Sequence, residues 1–153
     1  MGLNKNIVAI VQARMGSSRL PGKVLMMLDQ KPVIWHIINR LSYCNNLDQI
    51  VVATSTLKKD DILYNFCMKN NFNVYRGHDS DVLDRYLQAA KHYDAKIIVR
   101  ITGDCPVIDP DIVDEVIDFY IDGNYDACGL SGEFPDGLDC EIFSLNSIKD
   151  ACK

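Results

Sequence analysis

Short apolar runs alternate with longer amphipathic stretches along nearly the whole chain, and this alternation narrows the choice of fold. Residues 6–12 read as a buried strand. After Pro32, residues Ile34, Ile37, Ile38 and Leu41 recur at helical spacing, and proline suits a first helical turn. Residues 49–54 read as a second strand, and 58–70 as a helix with Ile62, Leu63, Phe66 and Cys67 on one face. A short strand over 73–76 precedes a helix over 81–93, with Asp81 as N-cap and Leu83, Tyr86, Leu87 and Ala90 inward. Residues 96–102 form a further strand, and 110–122 a helix opened by acids that suit its N-terminus. Strands over 126–130 and 138–143 and a helix beginning at 144 complete the pattern. Such alternation implies an α/β fold, a mostly parallel sheet with helices on both faces. Ligands of such sheets bind beyond the carboxyl ends of the strands. The loops over 13–23 and 103–109 both open there.

The first of these loops carries unusual chemistry. The run ending at Gln12 gives way to Ala13-Arg14-Met15-Gly16-Ser17-Ser18-Arg19-Leu20-Pro21-Gly22-Lys23. Residues 1–28 contain Lys5, Arg14, Arg19 and Lys23 and no acid, although the whole chain carries −5. Residues 101–148 contain twelve Asp or Glu and no Lys or Arg. A cationic loop facing an acidic stretch suits an anionic ligand held with a divalent metal. The loop is not a P-loop: five residues separate Gly16 from Gly22, and Val24 follows Lys23 where Ser or Thr would bind magnesium. Anion binding survives without that motif. Gly16, Ser17 and Ser18 can present backbone N–H groups as a nest, while Arg grips phosphate oxygens in a planar fork and Lys acts as a point charge.

With 153 residues and 48% apolar content, the chain can bury one core, so a single domain over 1–153 is expected. The acidic total argues against nucleic acid as a partner. No run approaches the roughly 20 apolar residues that span a bilayer, and the apolar run 7–11 is too short for a signal peptide. A soluble, cytoplasmic protein with no membrane partner is expected. The six cysteines, at 44, 67, 105, 128, 140 and 152, contain no C-x-x-C pair and read as reduced thiols.

The segment from Ile10 to Leu25 resembles the opening signature of the cytidylyltransferase superfamily that makes CMP-activated acidic sugars, most closely its spore coat polysaccharide biosynthesis protein F branch. Further segments agree, in the family's order: Val51-Val52-Ala53-Thr54-Ser55, Arg76-Gly77 with Asp81-Val82-Leu83-Asp84-Arg85-Tyr86, Arg100-Ile101-Thr102-Gly103-Asp104-Cys105-Pro106, and Pro135-Asp136-Gly137-Leu138-Asp139-Cys140-Glu141. The resemblance implies the nucleotide-diphospho-sugar transferase fold, a Rossmann-like three-layer α/β/α sandwich. It implies a nucleotidyltransferase in which a sugar hydroxyl attacks the α-phosphate of CTP and pyrophosphate leaves, serving surface or spore-coat polysaccharide synthesis.

On matching positions, Arg14, Arg19 and Lys23 would bind the triphosphate, Ala13, Ala53 and Thr54 would line a nucleoside pocket, and Asp81 and Arg85 would face the nucleotide. Asp104 would hold Mg2+, and Asp139 and Glu141 would lie near the acidic sugar. Arg14, Lys23 and Asp104 are thus the expected catalytic set. Relatives of this kind run beyond residue 153, so a missing C-terminal part is expected, and a homodimer stays open.

Cys105 neighbours Asp104, but a nucleophilic thiol wants a paired base, and none of His36, His78 and His92 lies in a pairing motif. Trp35 reads as core. Two alternatives remain: a glycosyltransferase of the same fold using a nucleotide-sugar, and a non-catalytic nucleotide-binding fragment.

Overall fold

The computed structural model describes residues 5–123, 125–130 and 132–153. Its elements run β1 (Ile7–Gln12), β2 (Met27–Leu28), β3 (Lys31–Pro32), α1 (Val33–Leu41), β4 (Gln49–Ser55), α2 (Asp61–Lys69), β5 (Asn73–Gly77), α3 (Val82–His92), β6 (Ile97–Thr102), α4 (Pro110–Asp122), β7 (Ala127–Gly129), β8 (Cys140–Ser144) and α5 (Leu145–Ala151). Short 3-10 turns occupy Lys23–Leu25 and Lys58–Asp60.

Six strands form one sheet in the order β5-β4-β1-β6-β8-β7. The first four are parallel, while β8 runs antiparallel to both β6 and β7. β1 is buried on both faces, as a continuous apolar run requires. Its Ile7, Ala9 and Val11 enter one apolar cluster with α1, α2 and α4, and its Val8 and Ile10 enter a second with α3 and α5. The result is the expected α/β/α sandwich.

The helices follow their sequence signals closely. α1 buries Ile34, Ile37, Ile38 and Leu41; truncating one such fully buried side chain to alanine would cost about 2–5 kcal/mol. Asp81 caps α3 by accepting from the Asp84 N–H at 2.9 Å. Asp109 caps α4 by accepting from the N–H groups of Asp111 and Ile112, with Pro110 at the first helical position.

Three details depart from expectation. The stretch over 58–70 opens with the 3-10 turn before α2 begins, and α2 buries Leu63 and Cys67 but leaves Ile62 outside. Leu83 also faces outward, because the buried stripe of α3 runs through Arg85, Tyr86, Leu87, Ala89 and Ala90. Trp35 is only half-buried, off the inner stripe of α1, with Lys31 Nζ 5.4 Å from its ring centroid.

β1 is the origin of two departures in the sheet. The chain leaves it for β4 and β5 on one side, then returns to β6 on the other. The carboxyl ends of β1 and β6 therefore flank the topological switch point, where ligands of open α/β sheets bind.

Candidate functional site

At that switch point the register pairs Gln12 with Thr102, and the Gly103 N–H continues the ladder by donating to the Gln12 carbonyl at 2.8 Å. A β-carbon on Gly103 would stand 2.7 Å from that same carbonyl oxygen, so only glycine permits this approach. The close pairing brings the loops after β1 and β6 face to face. Between them lies an open cleft of about 770 Å³.

The cationic loop is fixed at three points. The Gly22 N–H donates to the Met15 carbonyl at 2.9 Å, closing the loop on itself, and Gly22 adopts φ 73°, a left-handed conformation that favours glycine. Val24, just beyond, is buried in the core and pins the turn that carries Lys23. The third point is Asp60, a fully buried carboxylate. It accepts from the Met15 N–H at 2.7 Å and from the Ser55 hydroxyl. No local motif announces this contact, since Asp60 and Met15 are 45 positions apart. The N–H groups of Gly16, Ser17 and Ser18 meet no acceptor among the described residues, which leaves them available to an anion.

Ala13, Arg14, Gly16, Ser17, Ser18, Arg19 and Lys23 line one wall of the cleft. Asp104, Asp139 and Arg100 line it from the β6 side. Lys23 Nζ donates to Asp104 Oδ2 at 2.6 Å. This hydrogen bond, followed by one from Thr102, holds the Asp104 carboxyl below the ordinary carboxylate range against the opposing effect of burial. Arg100 pairs with Glu141 at 2.5 Å, and both line a smaller recess beside the cleft together with Asp139. Asp139 accepts from the Gly137 N–H at 3.2 Å. No motif marks Asp60 or Arg100 as a site residue, although Arg100 opens the segment Arg100-Ile101-Thr102-Gly103-Asp104-Cys105-Pro106.

Other expected site residues lie outside the cleft wall. Ala53 and Thr54 are wholly buried in β4, one strand away from the switch point and packed under α2 and α3. The Ala53 carbonyl accepts from the Ala13 N–H at 3.1 Å, so its contact with the cleft is through backbone. Asp81 is engaged as the cap of α3. Arg85 is completely buried, and its Nη1 donates to the carbonyls of His78 and Asp79. Arg14 Nη1 donates to the same Asp79 carbonyl at 2.9 Å. The two guanidiniums thus meet at one oxygen, and burial first, then the charge of Arg14, lowers the Arg85 pKa.

Cys105 is not poised for attack. It is buried, burial pushes its thiol up, and its Sγ lies 3.3 Å from the Thr102 hydroxyl, with no histidine partner among the described residues. His78 is exposed, and its Nδ1 accepts from the Asp81 N–H at 3.0 Å.

Residues 8–153 match the family model described as cytidylyltransferase. The chain belongs to the cytidylyltransferase family. Relatives include the spore coat polysaccharide biosynthesis protein SpsF of Bacillus subtilis, 36% identical over 95% of this chain and 62% of that protein. The 3-deoxy-manno-octulosonate cytidylyltransferase of Trichlorobacter lovleyi is 33% identical over 75% of this chain and 45% of its own length. Among solved structures, a cytidylyltransferase from Leptospira borgpetersenii superposes with a TM-score of 0.90 at 35% identity, covering 95% of this chain and 63% of that one. The chain thus spans about 60% of the length of the first curated relatives it matches. No helix among the described residues is long and apolar enough to cross a membrane.

Proposed function

We propose that this cytidylyltransferase-family chain transfers CMP from CTP to the hydroxyl of an acidic sugar, releasing pyrophosphate, in surface or spore-coat polysaccharide synthesis. The observation that carries the reading is the meeting of Lys23 with Asp104 at the switch point, in a cleft whose opposite wall is the Gly/Ser/Arg loop.

In-line displacement at phosphorus needs positioning and charge neutralisation more than covalent help from protein. Arg14, Arg19 and Lys23 supply positive charge along one wall, and the amides of Gly16, Ser17 and Ser18 supply directional donors. Charge developing on the departing pyrophosphate is stabilised by cations that are already in place. The anchors at Met15, Gly22 and Val24 keep that wall preorganised.

Magnesium fits the oxygen donors of this cleft. Among the described residues no three potential ligands gather, and magnesium often takes only one or two carboxylates, completing its shell with phosphate oxygens and water. Asp104 would hold it, where it would neutralise charge on the phosphates.

On the β6 side, Asp139 and Glu141 can accept hydrogen bonds from sugar hydroxyls. Two carboxylates alone would repel an acidic acceptor. Arg100, paired with Glu141 and lining the cleft, offsets that charge and offers a cation to the acceptor's carboxylate.

The test is pyrophosphate release from CTP and magnesium with a panel of acidic sugars. Release with at least one sugar is expected. Nucleoside diphosphate release from a nucleotide-sugar would point to a glycosyltransferase instead. CTP-dependent thermal stabilisation without turnover, about 2.7 kcal/mol at 100 times Kd, would point to a binding fragment.

A further inference from the structure

A lysine from outside the phosphate loop reaches it. Lys59 belongs to the 3-10 turn Lys58–Asp60 that follows β4. Its neighbour Asp60 is bonded to the Met15 N–H, so the turn is held against the loop by a buried carboxylate rather than by chance packing. A β-carbon built on Gly16 would lie 2.5 Å from the Lys59 ammonium nitrogen and 3.0 Å from its Cε. The three nearest atoms to that position all belong to Lys59. The ammonium therefore fills the space that a side chain at position 16 would take.

Lys59 makes no ion pair with a carboxylate among the described residues, whereas Lys23, Arg76 and Arg100 each have one. Gly16 itself lines the cleft, and its N–H is among those with no acceptor. A free ammonium beside these unmet donors raises the positive potential where an anion would sit.

We infer that Lys59 is a fourth cationic ligand of the phosphate chain, entering from the Gly16 side of the loop. This rests on the triphosphate reading above and adds a residue to it. The turn after β4 thereby has two jobs: Asp60 fixes the loop, and Lys59 extends its charge. It also gives glycine at position 16 a reason, since a larger residue would displace the ammonium.

Titration calorimetry with CTP and with CMP, in magnesium, tests this on the unsubstituted protein and on Lys59→Met, Lys59→Arg and Lys58→Met. Lys58→Met removes the same charge from the same turn. Lys59→Met should weaken CTP binding about tenfold, the usual scale of a charge-assisted hydrogen bond, and leave CMP binding within about twofold. Lys59→Arg should keep most of the CTP affinity, and Lys58→Met should match the unsubstituted protein for both ligands. The thermal midpoint of Lys59→Met without ligand should be unchanged, which separates a binding role from a folding one. If Lys59→Met binds CTP like the unsubstituted protein while CTP still outbinds CMP, the Lys59 assignment is overturned and the triphosphate reading stands. If the unsubstituted protein binds CTP no better than CMP, both fall.

Discussion

Lys23 Nζ and Asp104 Oδ2 lie 2.6 Å apart, although 81 positions separate them in sequence. The pair joins the loop after β1 to the loop after β6 across the sheet's switch point. Its two members have opposite tasks in the proposed reaction, one neutralising phosphate and the other holding a cation.

Lys23→Met should therefore lower the rate of pyrophosphate release on the order of 10²-fold or more, the scale for losing a preorganised donor. Stability should change by no more than about 1 kcal/mol, since the pair is partly exposed to solvent, Lys23 at 28% and Asp104 at 47%, and is screened there. Steady-state kinetics beside a denaturant titration checks both halves.

Asp104 also gives a pH signature. Its folded pKa is depressed, first by the Lys23 hydrogen bond. Any stability from the pair is therefore present above the unfolded carboxylate value and is lost as the pH falls through the lowered folded value. Carbon-detected NMR should find the Asp104 carboxyl titrating below the ordinary range, and Lys23→Met should move that titration upward.

Asp60→Ala would leave the buried Ser55 hydroxyl and the Met15 N–H without their shared acceptor. A stability loss of about 1–3 kcal/mol is expected for the buried Ser55 hydroxyl, and a smaller one for the part-buried Met15 N–H. The loosened loop should also weaken CTP binding. Ser55→Ala, which removes one donor and leaves the Met15 bond intact, should cost less. Urea denaturation and CTP titration of both variants measure the difference.

The thiols should divide by burial. Burial raises Cys67 and Cys140 to about 12, from an ordinary value of 9.0. Cys152 is exposed and should react first with a disulfide reagent near neutral pH, with Cys67 and Cys140 protected until unfolding. Because their folded values are raised, the stability they lend is present below the unfolded thiol value. It is lost as the pH rises from about 9 toward about 12. Mass spectrometry of partially labelled protein orders the sites.

Local signals made much of this molecule legible from its residues. The apolar run of β1, the cap at Asp81, and the inner stripe of α1 each depend on neighbours in sequence, and each lies where its pattern places it. The same holds for the cationic wall of the cleft, because one loop carries it. Features that depend on distant partners were not legible. Asp60 looks like any acid before a helix until Met15 is brought to it. Arg100 looks like a strand residue until antiparallel β8 sets Glu141 opposite. The small β2–β3 hairpin turns through Asp29 and Gln30, both at positive φ, without the glycine that usually marks such a turn. Ala53 and Thr54 lie in a segment that resembles the family's, yet their side chains are buried under the sheet's helices, one strand removed from the switch point.

A crystal structure with a non-hydrolysable CTP analogue and magnesium would decide whether the cleft between β1 and β6 is the nucleotide site. The phosphates should lie against the amides of Gly16, Ser17 and Ser18, within hydrogen-bonding reach of Arg14 and Lys23, with the metal on Asp104. Nucleotide bound elsewhere, such as the groove beside Leu47 and Phe72 at the other end of the strands, with the Lys23–Asp104 cleft empty, would contradict it.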